Sequence, residues 1–131
     1  MKKGLIIIVV SGLFALAGCH NNNSQVRKFR QMAEKANKAC PTRMSETITL
    51  DSTNYNEKTN TVSYFYSVTG ELDNPVYMNN HYTTFKQALQ DAVDNSVDME
   101  DYRKFGTSIK YVYFSGSNKK ELAEFSFISP K

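Results

Sequence analysis

The sequence predicts an α+β domain: a four-stranded antiparallel sheet with two helices on one face, in the order helix-hairpin-helix-hairpin. Three observations carry this. Two stretches, Val26-Phe29-Ala33-Ala36-Cys40 and Phe85-Ala88-Leu89-Ala92-Val93, hold apolar residues at helical spacing, the mark of a helix with one buried stripe. Four other stretches alternate in character and are joined in pairs by turn-forming residues, as hairpins are. Helix then hairpin occurs twice, and two such units close into a two-layer sandwich with both helices on one side of the sheet.

The chain begins with a segment outside this scheme. Lys2 and Lys3 precede an apolar run from Leu5 to Leu16, too short for a resident membrane span, and small residues follow at Ala17-Gly18. A positive start, a short apolar centre and small residues describe an export signal. The expected organisation is therefore residues 1–18 as signal, residues 19–24 as a polar tether containing His20-Asn21-Asn22-Asn23, and residues 25–131 as a single α+β domain.

Within the domain, the first helix runs from about Ser24 or Gln25 to Ala39, stopped by Pro41, which disfavours helical geometry at the residue before it. Cys40 ends its apolar stripe and reads as a small buried hydrophobe. Thr47 to Thr53 forms a strand around Ile48 and Leu50, residues 54–60 supply a turn, and Val62, Tyr64, Tyr66 and Val68 alternate through the second strand. A looser stretch through Gly70, Asn74 and Pro75 leads to the second helix, opened by a capping-box-like Thr84-x-x-Gln87. A short helical turn over Met99 to Lys104 ends near Gly106. The last hairpin pairs Ile109 to Phe114 with Leu122 to Ile128 around Ser115-Gly116-Ser117-Asn118-Lys119. Alternation puts Tyr64, Tyr66, Tyr111, Tyr113, Phe125 and Phe127 beneath the helices. It assigns Phe65, Val112 and Phe114 to the other face, an apolar patch that an isolated monomer would normally keep polar and so a candidate binding face.

Charge is unevenly spread. Residues 24–43 carry Arg27, Lys28, Arg30, Lys35, Lys38 and Arg43 against Glu34 alone, whereas residues 44–101 are acidic and the tail is basic again. The full chain has a formal net charge of +3, two of which sit on Lys2 and Lys3, so the mature chain is nearly neutral. That balance argues against nucleic acid as a partner. The basic face of the first helix (Arg27, Lys28, Arg30, Lys35 and Lys38) instead suits anionic membrane phosphates or an acidic protein.

Leu16-Ala17-Gly18-Cys19 resembles the lipobox of bacterial lipoproteins. The resemblance implies that Cys19 becomes the lipidated first residue, anchoring the protein to a membrane through acyl chains rather than threading it through. By the same resemblance, His20 after the cysteine favours the outer membrane, and the lack of an acidic cluster there favours a domain facing the periplasm. Further along, Cys40-Pro41, Leu50-Asp51-Ser52, Asn60-Thr61-Val62-Ser63-Tyr64-Phe65-Tyr66 and Gly106-Thr107-Ser108-Ile109-Lys110-Tyr111-Val112-Tyr113 are similar to stretches of small bacterial lipoproteins of unknown function. No catalytic residue comes with that likeness.

A direct reading for chemistry finds little. The chain has two histidines, His20 in the tether and His81 before the second helix, and neither belongs to a recognisable metal or nucleophile motif. There is no Gly-rich phosphate loop, no C-x-x-C and no nucleophile elbow, and no cofactor is implied. Asp91, Asp94, Asp98, Glu100 and Asp101 offer oxygen ligands for calcium, but their spacing is not that of an EF-hand loop, and they read as a solvated helix end. The expected function is a noncatalytic binding or assembly module of the cell envelope with a periplasmic protein partner. The alternative is a periplasmic hydrolase whose site is hidden in the sequence.

Overall fold

The computed structural model describes residues 24–128. A helix (α1) occupies residues 24–39. The strands are β1 (Thr42–Arg43), β2 (Ile48–Asn56) and β3 (Thr61–Val68). Three helices follow, α2 (Pro75–Asn80), α3 (Tyr82–Asn95) and α4 (Glu100–Phe105), with single 3-10 turns at Gly70–Leu72 and Val97–Met99. Strands β4 (Ser108–Ser115) and β5 (Glu121–Ile128) complete the domain. The α+β class is as expected, but the sheet has five strands in the order β1-β2-β3-β4-β5 and is mixed, not four-stranded and antiparallel.

The hairpins β2-β3 and β4-β5 form where the turn residues place them, both antiparallel. They join each other in parallel, from Thr61↔Ser108 to Val68↔Ser115. The reason lies in the connection: residues 69–107 carry three helices across the sheet and return the chain to the end where β3 began, which is what a parallel crossover needs. Strand periodicity encodes which face a residue takes and says nothing about the direction of a neighbouring hairpin. The missed strand, β1, is two residues long and pairs Thr42 with Leu50 and Arg43 with Thr49.

Several boundaries also move. Strand β2 extends through Asn56, because the Asn56 side chain accepts hydrogen bonds from the Lys58 and Thr59 amides and so makes the turn itself, four residues long. Tyr55 is consequently a buried strand residue. A bulge between Leu50 and Ser52 switches the alternation, so that Leu50 lies beside Tyr66 and Thr53 beside Tyr64. The second helical region starts earlier than Thr84: Asn74 caps α2 by accepting from the Val76 and Tyr77 amides, with Pro75 in the first turn. Thr84 stands inside α3 and caps nothing. Helix α4 ends as expected, with Gly106 in the left-handed conformation at φ 71°.

One core lies between the helices and a single face of the sheet. Phe29 of α1 is fully buried, its ring 4.5 Å from that of Tyr102, 5.4 Å from Tyr55 and 5.6 Å from Phe105. Met78, Val93, Ile109, Phe125 and Phe127 share the cluster, with Tyr64, Tyr66 and Tyr113 packed against it. The aromatic stripe predicted to lie beneath the helices is there. Cys40 departs from expectation: it follows the last helical residue, is a half-buried free thiol, and stands outside the core cluster. The helix stripe ends about two turns earlier, with Ala33 against the core.

Candidate functional site

The parallel join of the two hairpins puts tyrosines side by side. Tyr64 pairs in register with Tyr111 and Tyr66 with Tyr113. Their rings make a continuous stack, with centroids 5.3 Å apart for Tyr64 and Tyr111, 6.2 Å for Tyr111 and Tyr66, and 4.9 Å for Tyr66 and Tyr113. Burial beneath the helices pushes the Tyr111 and Tyr113 hydroxyls up to about 12, with the neighbouring Tyr111 adding to the shift at Tyr113. Burial, then nearby tyrosines, raises Tyr64 and Tyr66 further. All four are therefore neutral hydroxyls at physiological pH, able to donate as well as accept.

An apolar hollow of about 130 Å³ opens at each end of this row. At the Tyr64 end it is lined by Met32, Ala33 and Ala36 of α1 together with Val62 and Tyr102. At the Tyr113 end it is lined by Phe85, Ala88 and Leu89 of α3 with Ile48, Leu72 and Met78. Ala88 is exposed and Met32 is 36 % exposed, so both hollows reach the surface. The tyrosines and the helix stripes were legible in the sequence. Their assembly into one row was not, because it depends on the parallel register of β3 and β4.

The opposite face of the sheet has no helix across it among the described residues, and its rows follow the register. Ser52, Phe65, Val112 and Glu124 form one row, Asn54, Ser63, Lys110 and Ser126 the next, and Asn56, Thr61, Ser108 and Ile128 the third. Phe65, Val112 and Phe114 lie together here as alternation predicts, with the Phe65 and Phe114 rings 6.5 Å apart. They are not a freely exposed patch: Val112 is 3 % exposed, and the two rings are half-buried against each other and their neighbours. Beside them is a broad hollow of about 550 Å³ lined mostly by the polar rows. The sequence reading picked out the three apolar residues of this face and missed the polar row, whose signal was the same alternation.

The other predicted site residues are scattered. Lys28 bonds Asp101 at 2.6 Å and Arg30 pairs with Glu57, so two of the five basic residues tie α1 to the rest of the domain. Arg27, Lys35 and Lys38 are exposed. Four of the five acidic residues are engaged, Asp91 with Gln87, Asp94 with Gln90 and Glu100 with Lys104 one turn away on their own helices, and Asp101 with Lys28 of α1. No group of three or more His, Cys, Asp or Glu residues is placed to hold a metal among the described residues. The His81 ring stacks on Tyr77 at 4.1 Å, with Nδ1 2.9 Å from the Tyr77 carbonyl oxygen. Cys19 and His20 lie outside the described residues, and among those described no helix is long and apolar enough to cross a membrane.

The fold is shared with two solved structures. A candidate secreted protein from Pseudomonas aeruginosa is 14% identical, with a TM-score of 0.69 over 81% of this chain and 90% of that one. The type II secretion system pilotin AspS from Vibrio cholerae is 12% identical, with a TM-score of 0.58 over 85% of this chain and 94% of its own. At such identities the likeness establishes the α+β fold. No curated protein sequence matches the chain. A family profile matches residues 23–123, which take in every helix among the described residues and all but the last residues of the sheet, and the chain accordingly belongs to the domain of unknown function DUF8479.

Proposed function

We propose that this protein is a noncatalytic binding module of the bacterial cell envelope, which captures an apolar segment of another envelope protein along its tyrosine row. The observation that carries the reading is the pair of hollows at the two ends of the row, walled by α1 and α3. A hollow of this size suits one ring or one branched aliphatic side chain. Two of them, joined by neutral hydroxyls, fit a segment with two apolar anchors and polar groups between. The likeness to a secretion pilotin and to a candidate secreted protein supports an envelope setting and a protein partner.

The anchor in this reading is lipid on Cys19, as the lipobox-like Leu16-Ala17-Gly18-Cys19 implies, with the outer membrane favoured by His20 and a periplasm-facing domain by the lack of an acidic cluster after the cysteine. A single acyl chain holds a protein only marginally, and two or more give stable anchoring. Arg27, Lys35 and Lys38 then lie a short tether away from anionic headgroups, where each basic residue near the surface adds about 1 kcal/mol. Replacing Cys19 by Ser should leave an unacylated precursor, and a lipid-labelled product from that variant would overturn the anchor.

Capture is tested by a photo-crosslinking residue at Met32 in the lipidated chain, recovered from solubilised envelopes. One dominant protein adduct is expected, lost when Ala36→Trp or Ala88→Trp fills the hollows while the unfolding midpoint holds. An adduct indifferent to both substitutions would remove the tyrosine row from the binding site.

A further inference from the structure

We propose that the open face of the sheet is a second binding site, for a neutral glycan chain. Asn54, Ser63, Lys110 and Ser126 stand in one cross-strand row over β2 to β5, facing the hollow of about 550 Å³. Ser63 is 5 % exposed, and its hydroxyl makes no hydrogen bond among the described residues. A buried hydroxyl is normally satisfied, and this one lines the hollow, so a ligand group is its natural partner. The side chains of Asn54, Lys110 and Ser126 are likewise without hydrogen-bond partners among the described residues, so the row presents donors and acceptors together.

The chemistry of the row limits what it takes. A peptide adds as a strand at a sheet edge and not across its face, so this row does not take one in that way. Lys110 and Glu124, on the same face, carry opposite charges and form no ion pair with each other, which disfavours a polyanion as much as a cation. Amides and hydroxyls in a row match a ligand that both donates and accepts at many points. Phe65 lines the same hollow and supplies a ring of the kind on which the C–H face of a sugar packs. A neutral, hydroxyl-rich chain satisfies all of these at once.

The test uses the full lipidated chain in a detergent without sugar headgroups, titrated with the tetrasaccharide of N-acetylglucosamine and, separately, with maltotetraose. Resonances of Ser63, Lys110 and Ser126 should shift and saturate with at least one sugar. Asn54→Ala and Phe65→Leu, chosen at exposed and half-buried positions so that the fold survives, should each weaken binding about tenfold. The proposal is overturned if neither sugar gives saturable shifts, if the shifts fall on Met32, Ala88 and the helix-covered face, or if acetate or inorganic phosphate shifts the same resonances equally well. The last result would mean that Lys110 alone attracts an anion.

Discussion

The side-chain amide of Asn37 pairs with the main chain of Thr53 in both directions: Nδ2 donates to the Thr53 carbonyl at 2.9 Å, and Oδ1 accepts from the Thr53 amide at 2.7 Å. Strand β1 ends its pairing with β2 at Leu50, so without Asn37 the outer edge of β2 at Thr53 would have no partner among the described residues. One asparagine on α1 thus stands in for the next residue of an edge strand, and it fixes the helix against the sheet while covering an edge that invites association. The Thr53 hydroxyl adds a third tie by donating to the Ala33 carbonyl.

Asn37→Ala should therefore destabilise the domain by about 1–3 kcal/mol, the cost of stranding buried main-chain groups. Asn37→Asp keeps the acceptor and loses the donor, so it should fall between. Denaturant unfolding measures the first effect, and hydrogen exchange at the Thr53 amide localises it. Unchanged exchange in the alanine variant would show that the bond contributes nothing to holding the edge.

Asn60 makes a second prediction. It takes a positive φ of 51° in the β2-β3 turn, a conformation asparagine tolerates better than most residues. Its Oδ1 accepts from the Tyr55 hydroxyl at 2.7 Å and from the Thr107 hydroxyl at 3.0 Å, and its carbonyl accepts from the Ser108 amide at 2.9 Å. Turn, core tyrosine and the entry to β4 meet at this one side chain. Asn60→Ala loses the side-chain bonds and adds backbone strain; Asn60→Gly loses only the bonds. The alanine variant should be the less stable of the two by about 1 kcal/mol in thermal or denaturant melts. Equal stabilities would show that the conformation at this position costs nothing.

What was legible in the sequence is what depends on local period. The alternation through Tyr64-Phe65-Tyr66 and Tyr111-Val112-Tyr113 assigned each ring to its proper face, and turn residues placed both hairpins. What was not legible depends on pairing at a distance. The parallel register of β3 and β4 is set by how a crossover of three helices packs, and nothing in either strand announces it. Asn37 gave no signal because a polar residue on a helix facing a strand edge has the same spacing as one facing water. The ion pairs of Lys28 and Arg30 were hidden for the same reason: Asp101 and Glu57 are far away in sequence and near only after folding.

Acid and alkali should act through different groups. Asp101 is held below the usual carboxylate range by its bond and charge contact with Lys28, and Asp73 by hydrogen bonds from Ser115 and Ser117. A lowered folded-state value means these carboxylates stabilise the fold above their ordinary range and cease to do so as pH falls through the lowered one. Asp73→Asn and Asp101→Asn should each flatten the acid limb of the stability profile; both carboxylates are partly open to solvent, so each change is small. The buried tyrosines work in the reverse sense. Their raised values stabilise the fold fully below the ordinary 10.0, and that contribution is lost as pH climbs through about 12 for Tyr111 and Tyr113. The phenolate absorbance of these buried tyrosines should therefore appear together with unfolding. Ionisation of all the tyrosines near 10 with the fold intact would contradict their burial.

The tyrosine row separates stability from binding. The Tyr66 hydroxyl makes no hydrogen bond among the described residues, although its ring stacks on Tyr111 and Tyr113 and is half-buried. Removing an unpaired, partly buried hydroxyl while keeping the ring relieves a desolvation cost and leaves the packing, so Tyr66→Phe should hold or slightly raise the unfolding midpoint. If the row receives a partner, the same hydroxyl is a donor and acceptor waiting to be used, and its loss should weaken capture by about 1 kcal/mol, several-fold in affinity. Tyr66→Ala, which takes away the ring, should lower both. Measured side by side, melting and crosslinking yield distinguish the roles: a phenylalanine variant that melts early places the hydroxyl in a structural network, and one that melts normally and still captures fully leaves Tyr66 as floor without function.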